Sequence, residues 1–330
     1  MKKIIVCTTI YDSPELKKYA SLKGWEFVIV NDLKTPELKI KDAVVLTVEE
    51  QKKLGYNICK IIPWNSIQRR NIGYIYAMAN GADIIATVDN DNLPLKNWGF
   101  PLLSKTTNLR VVEEPDFFDI VRYVTDDVIW HRGTLYERVN EKIQYKIVEK
   151  PVKTGVQANL WLNDPDTDGI CRLTRNVELG KEKIARFNDH LCVGNGVFSP
   201  YNSQNTAFLR EFLVAALLPF GSYFNRMDDI WSSYLTERLL WETDYHISFG
   251  SPSVRQDRNP HDIWKDIDGE IAFSAKLNNL LKFLRSITFK TKNTIENFIY
   301  LSEKIEKQDF APPNYSELWK RWIKDFEKYF

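Results

Sequence analysis

The sequence predicts an α/β protein with a mainly parallel, mixed sheet and a helical C-terminal appendage. Three observations carry this. Strand and helix signals alternate from Lys3 to Val88, a rhythm that implies parallel strands covered on both faces. The 330-residue chain is 44% hydrophobic and 27% charged, enough apolar material for a sizeable core. Near Gly269 the composition changes, and only helical segments separated by polar turns follow. The expected organisation is therefore one α/β domain over residues 1–269 and a helical segment over 270–330.

The elements follow in order. Lys3 to Thr9 is an apolar, β-branched strand, Pro14 to Leu22 a short helix, and Trp25 to Asn31 a second strand. Ala43 to Val48 is a short strand and Glu49 to Leu54 a helix. A helix runs from about Ser66 to Asn80 and stops at Gly81, with Ile72, Ile75, Tyr76 and Ala79 as its apolar stripe. Asp83 to Val88 is a buried strand. Residues 100–155 are loosely patterned, with Phe117 to Val124 the strand candidate. A strand-like run from Leu191 to Ser199 precedes a helix from Thr206 to Leu217. Asp228-Asp229 opens a strong helix to Trp241, Tyr245 to Phe249 closes the sheet, and helices near 271–286, 293–307 and 315–329 complete the chain.

Bulk properties exclude several function classes. A net charge of +1 gives no field for binding a nucleic-acid backbone. No run of about 18 apolar residues is present, and the apolar stretch after Met1-Lys2-Lys3 is too short for a secretory signal. The four cysteines (Cys7, Cys59, Cys171 and Cys192) lack Cys-x-x-Cys spacing, and the four histidines form no His-x-x-x-His pair. Reduced thiols in a cytoplasmic protein are expected, without a zinc site.

Asp89-Asn90-Asp91 ends the apolar run that begins at Ile84. Chain direction puts Asp89 and Asp91 just beyond a strand's carboxyl end, where open α/β sheets place their ligands. Two carboxylates one residue apart can share a hard divalent cation, Mn²⁺ or Mg²⁺, and that cation can bridge a diphosphate. Short Asp-x-Asp triplets are more often solvated turns, so the surrounding residues decide. Arg69-Arg70-Asn71 offers guanidinium groups to a diphosphate or base. Asp164-Pro-Asp-Thr-Asp-Gly169 copies the first half of an EF-hand loop, but its twelfth position is Arg175 rather than Glu, so a calcium site is excluded. Its carboxylates, including Asp166 and Asp168, either face a ligand or cap backbone amides, with Arg172 and Arg175 nearby. Gly194-Asn195-Gly196 lacks a dinucleotide fingerprint and reads as a turn or as a close approach to a sugar. Asp228-Asp229 is at least a helix cap, and could act as a base at the acceptor. His261 is a candidate third metal ligand.

These segments together resemble the STELLO-type glycosyltransferase family. Pro63-Trp-Asn-Ser-Ile-Gln-Arg-Arg-Asn-Ile-Gly-Tyr74 is similar to that family's Pro-Tyr-x-Ser-x-x-Arg-Lys-Asn-Ile-Gly-Tyr segment. Asp164 to Arg175 resembles its Asp-Pro-Asp-Val-Asp-Ala-x-x-Arg-Leu-Thr-Arg motif, and Asp89-Asn-Asp91 its acidic strand end. Pro200-Tyr-Asn-Ser-Gln-Asn-Thr206 and Asp229-Ile-Trp231 match two more. A more distant similarity is to the plant reversibly glycosylated polypeptides, some of them UDP-arabinopyranose mutases. It lies in Leu160-Trp-Leu-Asn163 with Pro165-Asp166, and in Asp228-Asp229-x-Trp231. These motifs span roughly residues 3–268.

The resemblance implies a GT-A-like fold, a divalent metal and transfer from a nucleotide sugar, with a UDP-sugar the expected donor. The acceptor would be a glycan or a lipid-linked sugar in polysaccharide biosynthesis. Asp89 and Asp91 would hold the cation, Arg69 and Arg70 would grip the diphosphate or base, and the 194–206 loop, with Asn195 and Asn205, would shape the sugar pocket. Asp229, with Asp228, would deprotonate the acceptor if transfer inverts, or position the sugar if it retains. The alternatives are a pyranose/furanose mutase and a non-catalytic scaffold of a glycan-assembly complex. In the tail, Trp319, Trp322, Ile323, Phe326 and Phe330 form an apolar stripe beside basic residues. It is expected to pack on the domain or on a second subunit, in preference to peripheral contact with the inner membrane surface.

Overall fold

The computed structural model describes residues 1–221, 224, 226–258 and 262–330. The first part of the chain folds as its pattern predicts. It contains β1 (Lys3–Thr8), α1 (Pro14–Ala20), β2 (Glu26–Val30), β3 (Ala43–Leu46), α2 (Val48–Lys53), α3 (Arg70–Ala79) and β4 (Ile84–Asp89). Thr47 and Glu50 form a reciprocal capping box at the start of α2. Strands β3, β2, β1 and β4 are parallel neighbours. Ile4, Ile5, Val6 and Cys7 are fully buried, so both faces of β1 are covered. Helix α3 lies very close to this sheet. A Cβ on Gly73 would stand 2.4 Å from Val6 Cγ1 and 2.9 Å from Val30 Cγ2, so only glycine fits there.

The remainder departs from the expected parallel sheet. It comprises β5 (Asn92–Pro94), β6 (Thr106–Glu114), α4 (Ile120–Thr125), β7 (Lys146–Asn163), α5 (Gly169–Thr174), α6 (Val177–Arg186), β8 (His190–Val193), β9 (Asn205–Leu209), α7 (Asp228–Leu240) and β10 (Tyr245–Gln256). The single ten-stranded sheet runs β3-β2-β1-β4-β9-β7-β6-β8-β10-β5, with β7 also pairing β10. Only its first four strands form a parallel run. Strand β9 is antiparallel to both β4 and β7, and β6–β7, β8–β10 and β5–β10 are antiparallel as well. The sheet is mixed rather than mainly parallel.

Two local expectations fail for identifiable reasons. Phe117 to Val124 is not a strand: the Asp119 carboxylate accepts from the backbone N–H groups of Val121 and Arg122 and starts α4. The Thr206 to Leu217 helix is instead β9 followed by a 3₁₀ stretch, because Asn205–Leu209 fills the gap between β4 and β7. Tertiary pairing overrides local propensity there.

The chain ends in α8 (Ile263–Ser286), α9 (Thr294–Ile305) and α10 (Tyr315–Phe326). Helix α8 passes Gly269 without a break. Of the α10 stripe, Trp319, Trp322, Ile323 and Phe326 are buried, while Phe330 is exposed. Trp322 donates its indole N–H to Val214 O at 2.8 Å, and the Asp325 carboxylate accepts from Ile58 N and Asn57 Nδ2. The stripe is thus spent on packing, against α9, α3 and the turn at Ile58–Lys60. Among the described residues no helix is long and apolar enough to cross a membrane.

Candidate active site

A cleft of about 340 Å³ opens where β4 and β10 end and α3 and α7 begin. Asp89 is the last residue of β4, in register with Thr8 of β1, and Asp91 follows one turn residue later. Both line the cleft. Arg70, the first residue of α3, is brought over these strand ends by the close seat of Gly73. Its Nη2 donates to Asp89 Oδ1 at 2.5 Å, and its Nη1 donates to Ser203 Oγ at 2.8 Å. Burial, reinforced by the Asp89 charge, pushes Asp91 up to about 6.

Asp228 and Asp229 are the first two residues of α7, where the helix dipole favours negative charge. They do not cap it: the cap position is Met227. Asp229 is saturated. Its Oδ1 accepts from Arg132 Nη1 (3.0 Å) and from its neighbour's N–H at Ile230 (2.9 Å). Its Oδ2 accepts from Arg132 Nη2 (3.2 Å), Ser203 N (3.0 Å) and Ser203 Oγ (3.3 Å). Among the described residues Asp228 receives a single side-chain bond, from Gln68 Nε2 to Oδ2 at 2.7 Å. Burial and the adjacent Asp229 raise it to about 7.

Arg132 joins the two acidic segments, since its Nη2 also lies 2.9 Å from Asp166 Oδ2. Burial alone would raise Asp166, but Arg132 beside it holds the carboxyl below the usual carboxylate range. Arg258 pairs with Asp164 at 2.9 Å, and Arg226 with Asp266 and Glu270 of α8. A row of carboxamides runs along the wall: Asn202 donates to Asp166 and to Gln204, and Gln204 donates to Gln256 and Asn92.

The cleft therefore brings together Arg70, Asp89, Asp91, Asp166, Asp228 and Asp229 from the sequence reading. Other expected ligand residues have different partners. Arg69 lies under α3, bonded to Gln51 and Ile62 O and stacked 3.4 Å from the Trp64 ring. Asn71 holds both backbone groups of Leu218. Asn90 forms the turn, donating to Thr9 Oγ1 and accepting from Ser13 through its carbonyl. Asp168 caps α5 and accepts the Trp130 indole N–H, with burial raising it to about 6. Asn205 is fully buried on Asn159, Leu160 and Ser253, and Asn195 is bonded to Trp241 O. Arg172 binds Asp164, and Arg175 stacks on Trp130. His261 lies outside the described residues.

Ser203 and Gln204 line the cleft from the 194–206 loop expected to shape the sugar pocket, whereas Arg132, Arg226 and Gln256 line it from outside the expected site residues. No spacing rule marks an isolated arginine in a weakly patterned stretch. Arg258, three residues before His261, also lines the cleft, paired with Asp164.

Among the described residues no cluster of three or more His, Cys, Asp or Glu could cage a metal. The donor set fits a cation that arrives with phosphate. Asp89 keeps Oδ2 outside its bond to Arg70, Asp91 is crowded by a second acid, and Mg²⁺-type ions take one or two carboxylates with phosphate oxygens and water.

The family model of the reversibly glycosylated polypeptides matches residues 5–328. The chain belongs to that family. The match includes the three C-terminal helices, which the motifs alone leave out. The probable glycosyltransferases STELLO1 and STELLO2 of Arabidopsis thaliana are 24% and 25% identical, each alignment covering 98% of this chain and 44% of the relative. UDP-arabinopyranose mutase 1 of Arabidopsis thaliana is 26% identical over 132 residues, 37% of this chain and 36% of that protein. The chain spans less than half the length of these curated relatives.

Proposed function

We propose that this chain, with a GT-A-like fold, transfers a sugar from a nucleotide-sugar donor, a UDP-sugar in the first instance, to a glycan or lipid-linked acceptor. The observation that carries this reading is the pairing, in one cleft, of an acidic strand end at Asp89 and Asp91 with a second acidic pair at Asp228 and Asp229. Charge balance supports it. Four arginines face five aspartates in the cleft lining, so a diphosphate would add to an existing negative excess. A divalent cation, Mn²⁺ or Mg²⁺, held by Asp89 and Asp91 removes that excess and stabilises charge on the leaving diphosphate.

The chain's own residues supply the rest. Arg70 fixes Asp89 and reaches across to Ser203, so the two acidic ends are held at a set distance. Ile67, an exposed apolar side chain in the cleft lining, offers an apolar rest for the base. Arg132 bonds both Asp166 and Asp229 and holds them in place, and the wall of carboxamides turns polar groups toward the sugar.

The mutase reading draws support from the relatives named as UDP-arabinopyranose mutases. Incubation with a panel of UDP-sugars and Mn²⁺ separates the two. Transfer releases free nucleotide and rises with added glycan acceptor, whereas a mutase returns an isomerised donor with no nucleotide released. A protein that binds no UDP-sugar by calorimetry and turns none over is neither.

A further inference from the structure

Asp228 and Asp229 are neighbours in sequence but have opposite surroundings. Every oxygen of Asp229 is engaged, by two arginine nitrogens, two backbone N–H groups and one hydroxyl. A carboxylate with its lone pairs filled, and a guanidinium clamped on both oxygens, presents no open oxygen to a substrate hydroxyl. Asp228 is at least as buried, yet among the described residues only its Oδ2 has a side-chain partner, the Gln68 amide. Both residues line the cleft.

We propose that Asp228 is the proton acceptor of the transfer step, and that Asp229 is a positioning residue that locks Arg132 and Ser203. This rests on the sugar-transfer reading and adds a division of labour to it. The step balances as follows. The acceptor oxygen bonds to the anomeric carbon while its proton passes to the Asp228 carboxylate. The bond from the anomeric carbon to the phosphate oxygen breaks, and its electron pair leaves with the diphosphate.

The groups facing Asp228 set its titration. Asp229 on its own helix raises it, while the Gln68 amide ahead of α3 and Arg132 lower it, on top of the dominant effect of burial. Arg70, Arg226, Arg258, Asp89, Asp91 and Asp166 are the other charged groups that line the cleft, and Tyr74 of α3 is buried nearby. A base near neutrality suits proton removal from a hydroxyl at physiological pH better than an ordinary carboxylate does.

The same burial has a stability signature. A carboxyl whose folded value lies above its unfolded value stabilises the fold below the unfolded value and loses that contribution as pH rises through the folded value, here from about 3.8 to about 7. Asp228→Asn should therefore melt higher than the parent at pH 8.5 and about equally at pH 4.

The deciding experiment uses the full chain with Mn²⁺ and the UDP-sugar selected by the panel, reading nucleotide release against pH. Asp228→Asn is expected to lose about 10²–10⁴-fold and to abolish the acid limb of the profile. Asp229→Asn is expected to keep that limb while raising KM and lowering the melting temperature. Gln68→Leu removes a bond to the ionised form and should move the limb to higher pH. Infrared difference spectra should show a carboxyl titrating near neutrality that is missing in Asp228→Asn. An Asp228→Asn protein with the parental rate, an acid limb that disappears in Asp229→Asn instead, or no carboxyl titrating near neutrality would each overturn the assignment. Failure of the parent protein to turn over any UDP-sugar would instead remove the sugar-transfer reading on which it rests.

Discussion

The two ends of the cleft are built from the same residue type and do different things with it. At the strand end, Asp89 gives one oxygen to Arg70, and Asp91 is crowded and raised to about 6, so the pair still has lone pairs for an incoming cation. At the helix end, Arg132 removes that capacity from Asp229 and Asp166 and leaves it to Asp228. The difference lies in the arginine. Arg70 touches one carboxylate and reaches away to Ser203, whereas Arg132 is chelated between two. Similar acidic motifs therefore become a ligand site in one place and a rigid anchor in the other, according to how many lone pairs a neighbouring cation consumes.

The contrast can be broken at each end. Asp91→Ala attacks the ligand end and should lower nucleotide release by roughly 10²–10³-fold or more, with added Mn²⁺ giving little recovery. Its melting temperature should stay level or rise, because a crowded carboxylate is removed. Arg132→Met attacks the anchor and should do the reverse in kind. Two buried carboxylates lose their partner, and urea unfolding should show a loss of about 3–5 kcal/mol. If Arg132→Met keeps its stability, the helix end is not an anchor. Gly73→Ala works between the two. The added methyl meets Val6 Cγ1 at 2.4 Å and would lift α3 together with Arg70, with an expected loss of about 1–3 kcal/mol and a weaker response to Mn²⁺.

The parallel wing was readable because its strands are apolar on both faces and its helices carry local signals, such as Thr47 with Glu50 and the stop at Gly81. The mixed wing was not. Strand β7 runs for 18 residues, yet its charges at Lys146, Glu149, Lys150 and Lys153 fall at helical rather than alternating spacing, and only the pairing with β6 makes that stretch a strand. Within the site, acidic motifs at element ends could be found by position alone, as with Asp89 and Asp229. Their cations could not, since Arg132 reaches Asp229 across 97 residues of chain and has no local spacing to betray it. Asn71, Asn205 and Asp168 lie in equally suggestive motifs, yet serve backbone groups and a helix cap. Sequence shows that a polar side chain is wanted, and only the fold shows which partner it gets.

The docking of α10 bears on the order in which a newly made chain can complete itself. The acceptor for the Ile58 amide is Asp325, and Asn57 waits for the same carboxylate 268 residues downstream. Until α10 docks, the Ile58 N–H in the loop that leads into α3 has only water as a partner, and the seat for Trp322 at Val214 O stays open. Closing so long a loop comes late in folding. The cleft residues all precede Tyr315 in the chain, but the helix bearing Arg70 gains its full support only when α10 has docked.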